Sequence, residues 1–486
     1  MLLYRWLIDA VNTRGSAKAL VYRDTYLSWR GLQHRVERRA QEFGSMGIGQ
    51  GHWVGLMLGN VPDFAILALA LSKLGATVVP LDPTTGVRDL SLILEMAPLR
   101  ALITRPRGGT DQGAPPPSSA GRGRKGASRI EPESRRRLQG TLLTCSIYRR
   151  DEDPPGPAAA VLITADSSGD PKGVMRTEEN LSENCTNVQR SLEVTEEDRI
   201  LTTVPLYAAY GFDLGLCLAL RYGATLYLED EVSPKRIVKI LREQEIDFLP
   251  GTPPLYAGLA RLPTAKTLRT KRARFLATGQ TLGEATSEAF RLRWGPRIIS
   301  FYHTTEAGAV CCDRKGLAPD TVGKPLEGVE VRLEEPLGDG ASPIWVRSRA
   351  VATRWVGSWS SGAAERAPGK KVPIGSVDAE GWLRTGDTGR LDKTGRITLL
   401  GREDDLVKVD GKRVALGEVE GCLEAYPKVK AAQARVLTDS MGSSMVVASV
   451  VCLAKCAPEE IIDHCARNLA PYKVPRRIEF CDSLPG

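Results

Sequence analysis

The sequence predicts an α/β protein: a large N-terminal domain of βαβ subdomains plus a β-rich part, followed by a small α+β C-terminal domain. Three observations carry this. Strand-length apolar runs alternate with amphipathic helices up to Ser300, as in parallel βαβ units. From Val322 to Leu400 the pattern changes to short β segments divided by Gly/Pro turns. Gly401 to Gly486 then mixes polar loops, two helical segments and one strand. At 486 residues the chain is long enough for two or more domains.

Taken in order, residues 19–29 alternate apolar and polar around Arg23 and Asp24 and predict a hairpin. Ser28 is placed to cap the next helix, where Leu32, Val36 and Phe43 fall at helical spacing. Trp53–Leu58, Thr77–Leu81 and Ala101–Thr104 read as strands, with helices over Pro62–Leu74 and Arg88–Glu95 between them. Ala158–Ile163 is another buried strand and Glu178–Ser191 a helix. The alternation continues with strands Arg199–Pro205, Thr225–Leu228, Phe248–Pro250, Arg274–Ala277 and Arg297–Ser300. Helices over Pro234–Gln244 and Pro254–Leu262 separate some of them. In the last part, helices are expected over Gly417–Glu424 and Pro458–Leu469, and a strand over Val446–Leu453.

The formal charge of +8 comes from one place. Residues 101–150 hold eleven Lys/Arg against three acids, a surplus equal to that of the whole chain. Residues 105–140 are rich in Gly, Pro, Ser and Arg, too poor in apolar surface to offset chain entropy, so 105–150 reads as a disordered basic insertion. A nucleic-acid-binding arm is the sharper reading, but interleaved aromatics are lacking and a solvated linker fits the composition better. Ten scattered cysteines without a CxxC pair fit a reduced, cytoplasmic setting. Cys452, Cys456, His464 and Cys465 match no usual zinc spacing. The N-terminus meets Arg5 and Asp9 too early for a signal peptide, and the longest apolar run, Phe64 to Val79, is too short to span a bilayer.

The stretch LITADSSGDPKGV, Leu162 to Val174, follows the Ala158–Ile163 strand with small hydroxyl residues, glycine and Lys172. Such a loop can turn backbone N–H groups and hydroxyls toward a polyphosphate while the lysine supplies positive charge. It lacks the GxxxxGK[ST] spacing, and an ordinary strand-to-turn connection explains this segment alone equally well.

Further motifs follow in order. YHTTE spans Tyr302–Glu306, RTGD spans Arg384–Asp387, and GREDDLVKVDGKRVALGEVE spans Gly401–Glu420. Together with Thr164–Val174 this series resembles the adenylate-forming (acyl-activating) superfamily, which includes acyl- and aryl-CoA ligases and adenylation domains. The resemblance covers nearly the whole chain outside 105–150. It implies ATP-dependent activation of a carboxylic acid, fatty or aryl before amino acid, to an acyl-adenylate. The acyl group then passes to the thiol of CoA or of a carrier protein's phosphopantetheine. Its developing phosphate charge needs fixed donors and cations.

Residue by residue, the resemblance assigns Thr164, Ser167, Ser168, Gly169 and Lys172 to the departing phosphates. Thr305 would touch phosphate oxygens and Glu306 would hold Mg²⁺, with Tyr302, His303 and Thr304 beside them. Asp387 would accept from the ribose hydroxyls near Arg402, and Gly279 and Gln280 would pack on adenine. Tyr207, Ala208, Gly211 and Phe212 would form the acid pocket. Asp404 would be the hinge of a mobile small domain, dividing the chain into 1–402 and 403–486.

The sequence departs from the pattern at four places. Asp166 brings a negative charge into the phosphate loop. Ala208 stands where relatives carry a histidine, or an aspartate that binds an α-amino group, which argues against an ordinary amino acid. His303 replaces a glycine beside the expected carboxyl pocket. Ser483–Gly486 only begins the closing motif, so the small domain reads as truncated and no residue can be assigned the family's adenylation lysine. The alternative is therefore a degenerate, non-catalytic relative that binds nucleotide or a partner.

Overall fold

The computed structural model describes residues 1–105, 130–149, 154–165, 171–262, 272–279, 282–336, 341–357, 372–403, 406–409, 412–438, 444–469 and 473–484. Two large sheets organise it. The eight-stranded sheet runs Arg354–Gly357, Pro171–Arg176, Ala160–Ala165, Thr77–Leu81, Trp53–Met57, Leu99–Thr104, Thr144–Ile147, Ser134–Arg137. Its Thr77–Leu81, Trp53–Met57 and Leu99–Thr104 strands pair in parallel. Every residue of Trp53–Met57 and Thr77–Leu81 is buried, which is why their sequences are almost wholly apolar and do not alternate.

The nine-stranded sheet has a parallel centre formed by Thr225–Leu228, Arg199–Thr202, Phe248–Gly251, Arg274–Ala277 and Ile298–Thr304. Lys18–Tyr22 adds to it in parallel beside Thr225–Leu228 and turns back in an antiparallel hairpin with Thr25–Ser28 at one edge, while Gly308–Cys312 and Lys324–Pro325 extend the other side antiparallel. Helix Pro62–Lys73 is buried on every side from Phe64 to Ser72; it packs against helices Leu2–Arg14 and Trp29–Ser45. A helix enclosed this way needs no polar stripe. Helix starts follow local chemistry. The Ser28 hydroxyl accepts from the Gly31 amide at 3.1 Å, and Thr177 with Asn180 forms a reciprocal capping box for Glu178–Leu192.

Four antiparallel strands (Glu330–Leu333, Ser342–Arg347, Leu383–Leu391, Ile397–Arg402) form the expected β-rich part. The C-terminal part has its own core, in which helices Leu416–Glu424 and Pro458–Asn468 pack with the strands Val429–Thr438, Ser444–Cys452 and Arg477–Phe480.

Two expectations are corrected. The basic segment is not wholly without structure. Ser134–Arg137 and Thr144–Ile147 are strands that continue the eight-stranded sheet, and Leu138, Leu143, Cys145 and Ile147 are buried. The arginines of this hairpin lie on its exposed outer strand, so charge there costs little and the short apolar run behind it suffices. Residues 106–129 and 150–153 lie outside the described residues. Second, Leu162–Val174 is not a strand followed by loop. Ala160–Ala165 and Pro171–Arg176 form an antiparallel pair with Thr164 opposite Lys172. Pro171 reaches only the strand's start, the position in a strand where a missing N–H is tolerated.

Candidate active site

The Pro171–Arg176 strand delivers Lys172 to the site. Gly173 is required there, since a Cβ would lie 2.6 Å from Val356 Cγ2 and 2.9 Å from Val161 Cγ1. Lys172 Nζ donates to Glu306 Oε1 at 2.7 Å, and the side chains are only 6% and 16% exposed. A charge pair in so little water is far stronger than a surface one. Ser167, Ser168 and Gly169, together with Asp166, lie outside the described residues.

Glu306 sits in the turn between the strands Ile298–Thr304 and Gly308–Cys312. Thr304 Oγ1 accepts from the Ala307 amide at 3.0 Å, and the Glu306 carbonyl accepts from the Ala352 amide at 2.8 Å. Gly308 closes the turn at φ +72°, where a Cβ would fall 2.4 Å from Asn184 Oδ1. The Thr305 carbonyl accepts from Arg176 Nη1 at 3.0 Å. Lys172, Thr305 and Glu306 are thus brought together from two sheets, as expected.

Beside them, the buried Tyr302 hydroxyl donates to Asp387 Oδ2. Burial, reinforced by the Asp387 charge, pushes the phenol well above its ordinary range, so Tyr302 stays a donor. Asp387 lies opposite Arg402 in the antiparallel Leu383–Leu391/Ile397–Arg402 pair, with Arg402 Nη1 3.5 Å from its Oδ1. Gly386 precedes it at φ +83°, and a Cβ there would meet Ile374 Cγ2 at 2.4 Å. A carboxylate fixed from one side and 18% exposed on the other is suited to accept from ligand hydroxyls. Gly279, at φ +96°, has no atom of the described residues, its chain neighbours apart, within 4 Å of its missing Cβ; such an open backbone surface can take a flat ring. Gln280 and the expected hinge Asp404 lie outside the described residues.

Where the acid pocket is expected, Asn60 fixes the Pro205–Ala208 segment. Its amide donates to the carbonyls of Val204 at 3.0 Å and Glu229 at 3.2 Å, while its Oδ1 accepts from the Leu206 amide at 2.7 Å. Tyr207 is partly exposed and hydrogen-bonds Asp82; burial, with that neighbouring charge, pushes its phenol up to about 12. Ala208 is the N-cap of a short helix, Ala209–Gly211, that runs into a π-helix, Phe212–Cys217. Gly211 and Phe212, also expected to form the acid pocket, are both buried. Phe212 is fully buried in the core, and Gly211 lies so close to the chain that a Cβ would be 2.1 Å from the Pro205 carbonyl oxygen.

His303, expected beside the nucleotide residues and the carboxyl pocket, is held by Asp213 and Tyr210. Its Nε2 lies 3.0 Å from Asp213 Oδ2, its ring is 5.5 Å from Tyr210 in an edge-on arrangement, and its side chain is 3% exposed. Arg176 Nη1 lies 3.4 Å from the same Asp213 oxygen, and both partners are fully buried. Burial alone would raise the Asp213 carboxyl; the Arg176 charge and His303 overcome it and hold the group below its ordinary value. A carboxylate only accepts, so His303 Nε2 carries the proton that Asp213 receives. Arg176, Asp213 and Asn60 were missed at the sequence level. The one signal was Asp213 alone within the apolar run GFDLGLCLAL.

Among the described residues, no group of three or more His, Cys, Asp or Glu is arranged to hold a metal ion, and Cys452 and Cys456 simply face each other at 3.3 Å between sulfurs. A lone carboxylate in Glu306 fits Mg²⁺ only if phosphate oxygens supply other ligands, the usual habit of that ion at nucleotide sites. No helix among the described residues is long and apolar enough to cross a membrane.

Comparison with known proteins agrees with this geometry. The model of the AMP-binding enzyme family matches residues 7–354, and that of the AMP-binding enzyme C-terminal domain matches residues 418–486. The chain is 26% identical to a feruloyl-CoA synthase of an Amycolatopsis species, over 99% of this chain and 95% of the relative. It is 29% identical to novobiocin biosynthesis protein H of Streptomyces niveus, over 98% of this chain and 78% of that protein. Among solved structures, O-succinylbenzoate coenzyme A synthetase of Bacillus subtilis in complex with AMP superposes with a TM-score of 0.79 at 22% identity, covering 99% of this chain and 95% of that one, a likeness of fold. The first match takes in Lys172 and the Tyr302–Glu306 stretch, while Asp387 and Arg402 lie between the two matched regions; the chain belongs to the AMP-binding enzyme family.

Proposed function

We propose that the protein is an AMP-forming acid–thiol ligase. It uses ATP and Mg²⁺ to convert a carboxylic acid to an acyl-adenylate, and then transfers the acyl group to a thiol, with CoA as the first candidate acceptor. The observation that carries this is the convergence of the Lys172–Glu306 pair and the Tyr302–Asp387 pair on one strand-and-turn, residues 298–306.

In this reading a carboxylate oxygen of the acid attacks the α-phosphorus of ATP, and the bond to the β-phosphate oxygen breaks to release pyrophosphate. Lys172 turns from Glu306 to the departing phosphates, where a fixed cation in a dry site lowers the barrier by several kcal/mol. Glu306, released from the lysine, would hold the metal, which would supply Lewis-acid neutralisation of phosphate charge. Asp387, oriented by Tyr302, accepts from the ribose hydroxyls, and the open Gly279 backbone lies along the base. In the second step the thiolate sulfur attacks the acyl carbon and AMP leaves. The division at residue 402/403 and a swing about Asp404 belong to this reading.

The acid is fatty or aryl before α-amino. Ala208 offers nothing to an ammonium group, and the buried carboxylate nearby, Asp213, is already matched by Arg176. The relatives support the same class: a feruloyl-CoA synthase, a 2-succinylbenzoate–CoA ligase of Bacillus licheniformis and a 4-coumarate–CoA ligase of Oryza sativa. A carrier protein's phosphopantetheine is the second acceptor, supported by 25% identity to a stretch making up 6% of a linear gramicidin synthase of Brevibacillus parabrevis. The non-catalytic alternative has no support in the comparisons. ATP–pyrophosphate exchange across a panel of aryl, fatty and amino acids tests the proposal. Exchange with amino acids alone would overturn the substrate class.

A further inference from the structure

We propose that Asp213 and Arg176 form a buried positioning pair that ties the acid-pocket π-helix to the turn carrying Thr305 and Glu306, and so sets the rate of adenylation. The inference rests on the proposed function and names a part of that site's machinery.

The argument starts from strand geometry. Lys172 and Arg176 are four residues apart on one strand and therefore project from the same face. Lys172 grips the Glu306 side chain and Arg176 grips the preceding Thr305 carbonyl. Two cations of one strand thus hold adjacent residues of one turn. When Lys172 leaves Glu306 for phosphate, Arg176 is the contact that still fixes the peptide between Thr305 and Glu306.

Arg176 can do this at zero exposure only because Asp213 matches its charge. The same Asp213 oxygen accepts from His303, three residues before Glu306. One carboxylate therefore anchors the turn twice, through Arg176 and through His303. Asp213 sits in the π-helix Phe212–Cys217, a widened helical turn of the kind found at functional sites. That helix follows the Tyr207–Ala208 pocket segment, so displacement of the pocket wall by a bound acid reaches the Mg²⁺ turn through Asp213.

The pair is poorly built for stability alone. Arg176 Nε and Nη2 and Asp213 Oδ1 have no hydrogen-bond partner among the described residues. A buried ion pair with unmet groups is commonly no better than apolar residues of similar size. Positioning accounts for its presence where stability does not.

The test separates the two half-reactions. Asp213→Asn keeps an acceptor for His303 and removes the charge that matches Arg176. We expect its acid-dependent pyrophosphate exchange, at saturating ATP and acid, to fall between about 10- and 100-fold, as for a small misplacement of catalytic groups. Thioester formation from the synthetic acyl-adenylate of the same acid, which needs neither Glu306 nor Mg²⁺, should stay within about twofold of wild type, well short of a tenfold effect. The double variant Arg176→Met/Asp213→Leu, which leaves no buried charge unmatched, should fold and show the same split. Equal rates in variant and wild type for both half-reactions would overturn the inference. So would a parallel fall of both half-reactions in both variants, the mark of a merely structural role. A wild-type protein without exchange for any acid would overturn the functional reading, and this inference with it.

Discussion

Tyr302→Phe is the most informative single substitution, because it removes one hydrogen bond to Asp387 and leaves that carboxylate in place. The phenol is buried and its hydroxyl donates to Asp387 Oδ2. A hydrogen bond to a charged group contributes about 1.5–3 kcal/mol. Not all of that is lost from ATP binding. Asp387 keeps its strand pairing with Arg402, the long contact to that guanidinium at 3.5 Å, and its backbone bond to Thr385 at 3.1 Å. About half the interaction, roughly 0.8–1.5 kcal/mol, is then charged to a carboxylate free to rotate away from the ribose, which is roughly a four- to twelvefold rise in Kd for ATP. Calorimetric titration with ATP reads it directly. The KM for the acid should stay unchanged, and the double variant Tyr302→Phe/Asp387→Ala should bind ATP no more weakly than Asp387→Ala alone, since the two act as one unit. An ATP Kd unchanged by Tyr302→Phe, or fully additive losses, would refute the assignment of Asp387 to the ribose.

Three further outcomes follow from the geometry. Glu306→Gln should raise the Mg²⁺ concentration for half-maximal exchange by about tenfold or more, because one of few hard oxygen ligands loses its charge; an unchanged Mg²⁺ dependence would remove Glu306 from the metal. Gly211→Ala should destabilise by about 1–3 kcal/mol through overpacking against the Pro205 carbonyl, seen as a lower thermal midpoint, and an unchanged midpoint would contradict the packing described. Glu460 is held down to about 2 by Lys428 and Tyr426. Its folded value lies below the ordinary one, so its contribution is present above about pH 4.5 and is lost as pH falls towards 2. The stability gap between wild type and Glu460→Gln should therefore close over that window.

Much of the fold was legible because its determinants are local. Ser28 caps its helix as its side chain allows, and the continuous apolar runs Trp53–Met57 and Thr77–Leu81 became strands buried on both faces. The helix Leu2–Arg14 carries its buried Leu2, Leu3, Trp6, Leu7 and Ala10 on one face, a helical spacing visible in the sequence once the segment is not weighed only as a leader peptide. The hairpin Ser134–Arg137/Thr144–Ile147 was hidden by composition, since its stability comes from the edge of a sheet formed elsewhere. The ordered motifs pointed to Lys172, Thr305, Glu306, Tyr302 and Asp387, which the fold does bring together. The Arg176–Asp213–His303 network could not be read the same way. Its members lie on three separate elements, and only the tertiary fold makes an arginine at a strand's end, an aspartate in an apolar run and a histidine in place of glycine into neighbours.

The acid-activating step proposed for this site depends on Lys172 serving the departing phosphates. The decisive measurement is ATP–pyrophosphate exchange, with and without acid and Mg²⁺, for wild type and Lys172→Ala. Exchange should require both acid and Mg²⁺ and should fall about 10²–10³-fold in Lys172→Ala, the usual loss for a fixed transition-state donor. ATP binding without exchange for any acid, or exchange unchanged by Lys172→Ala, would contradict that role.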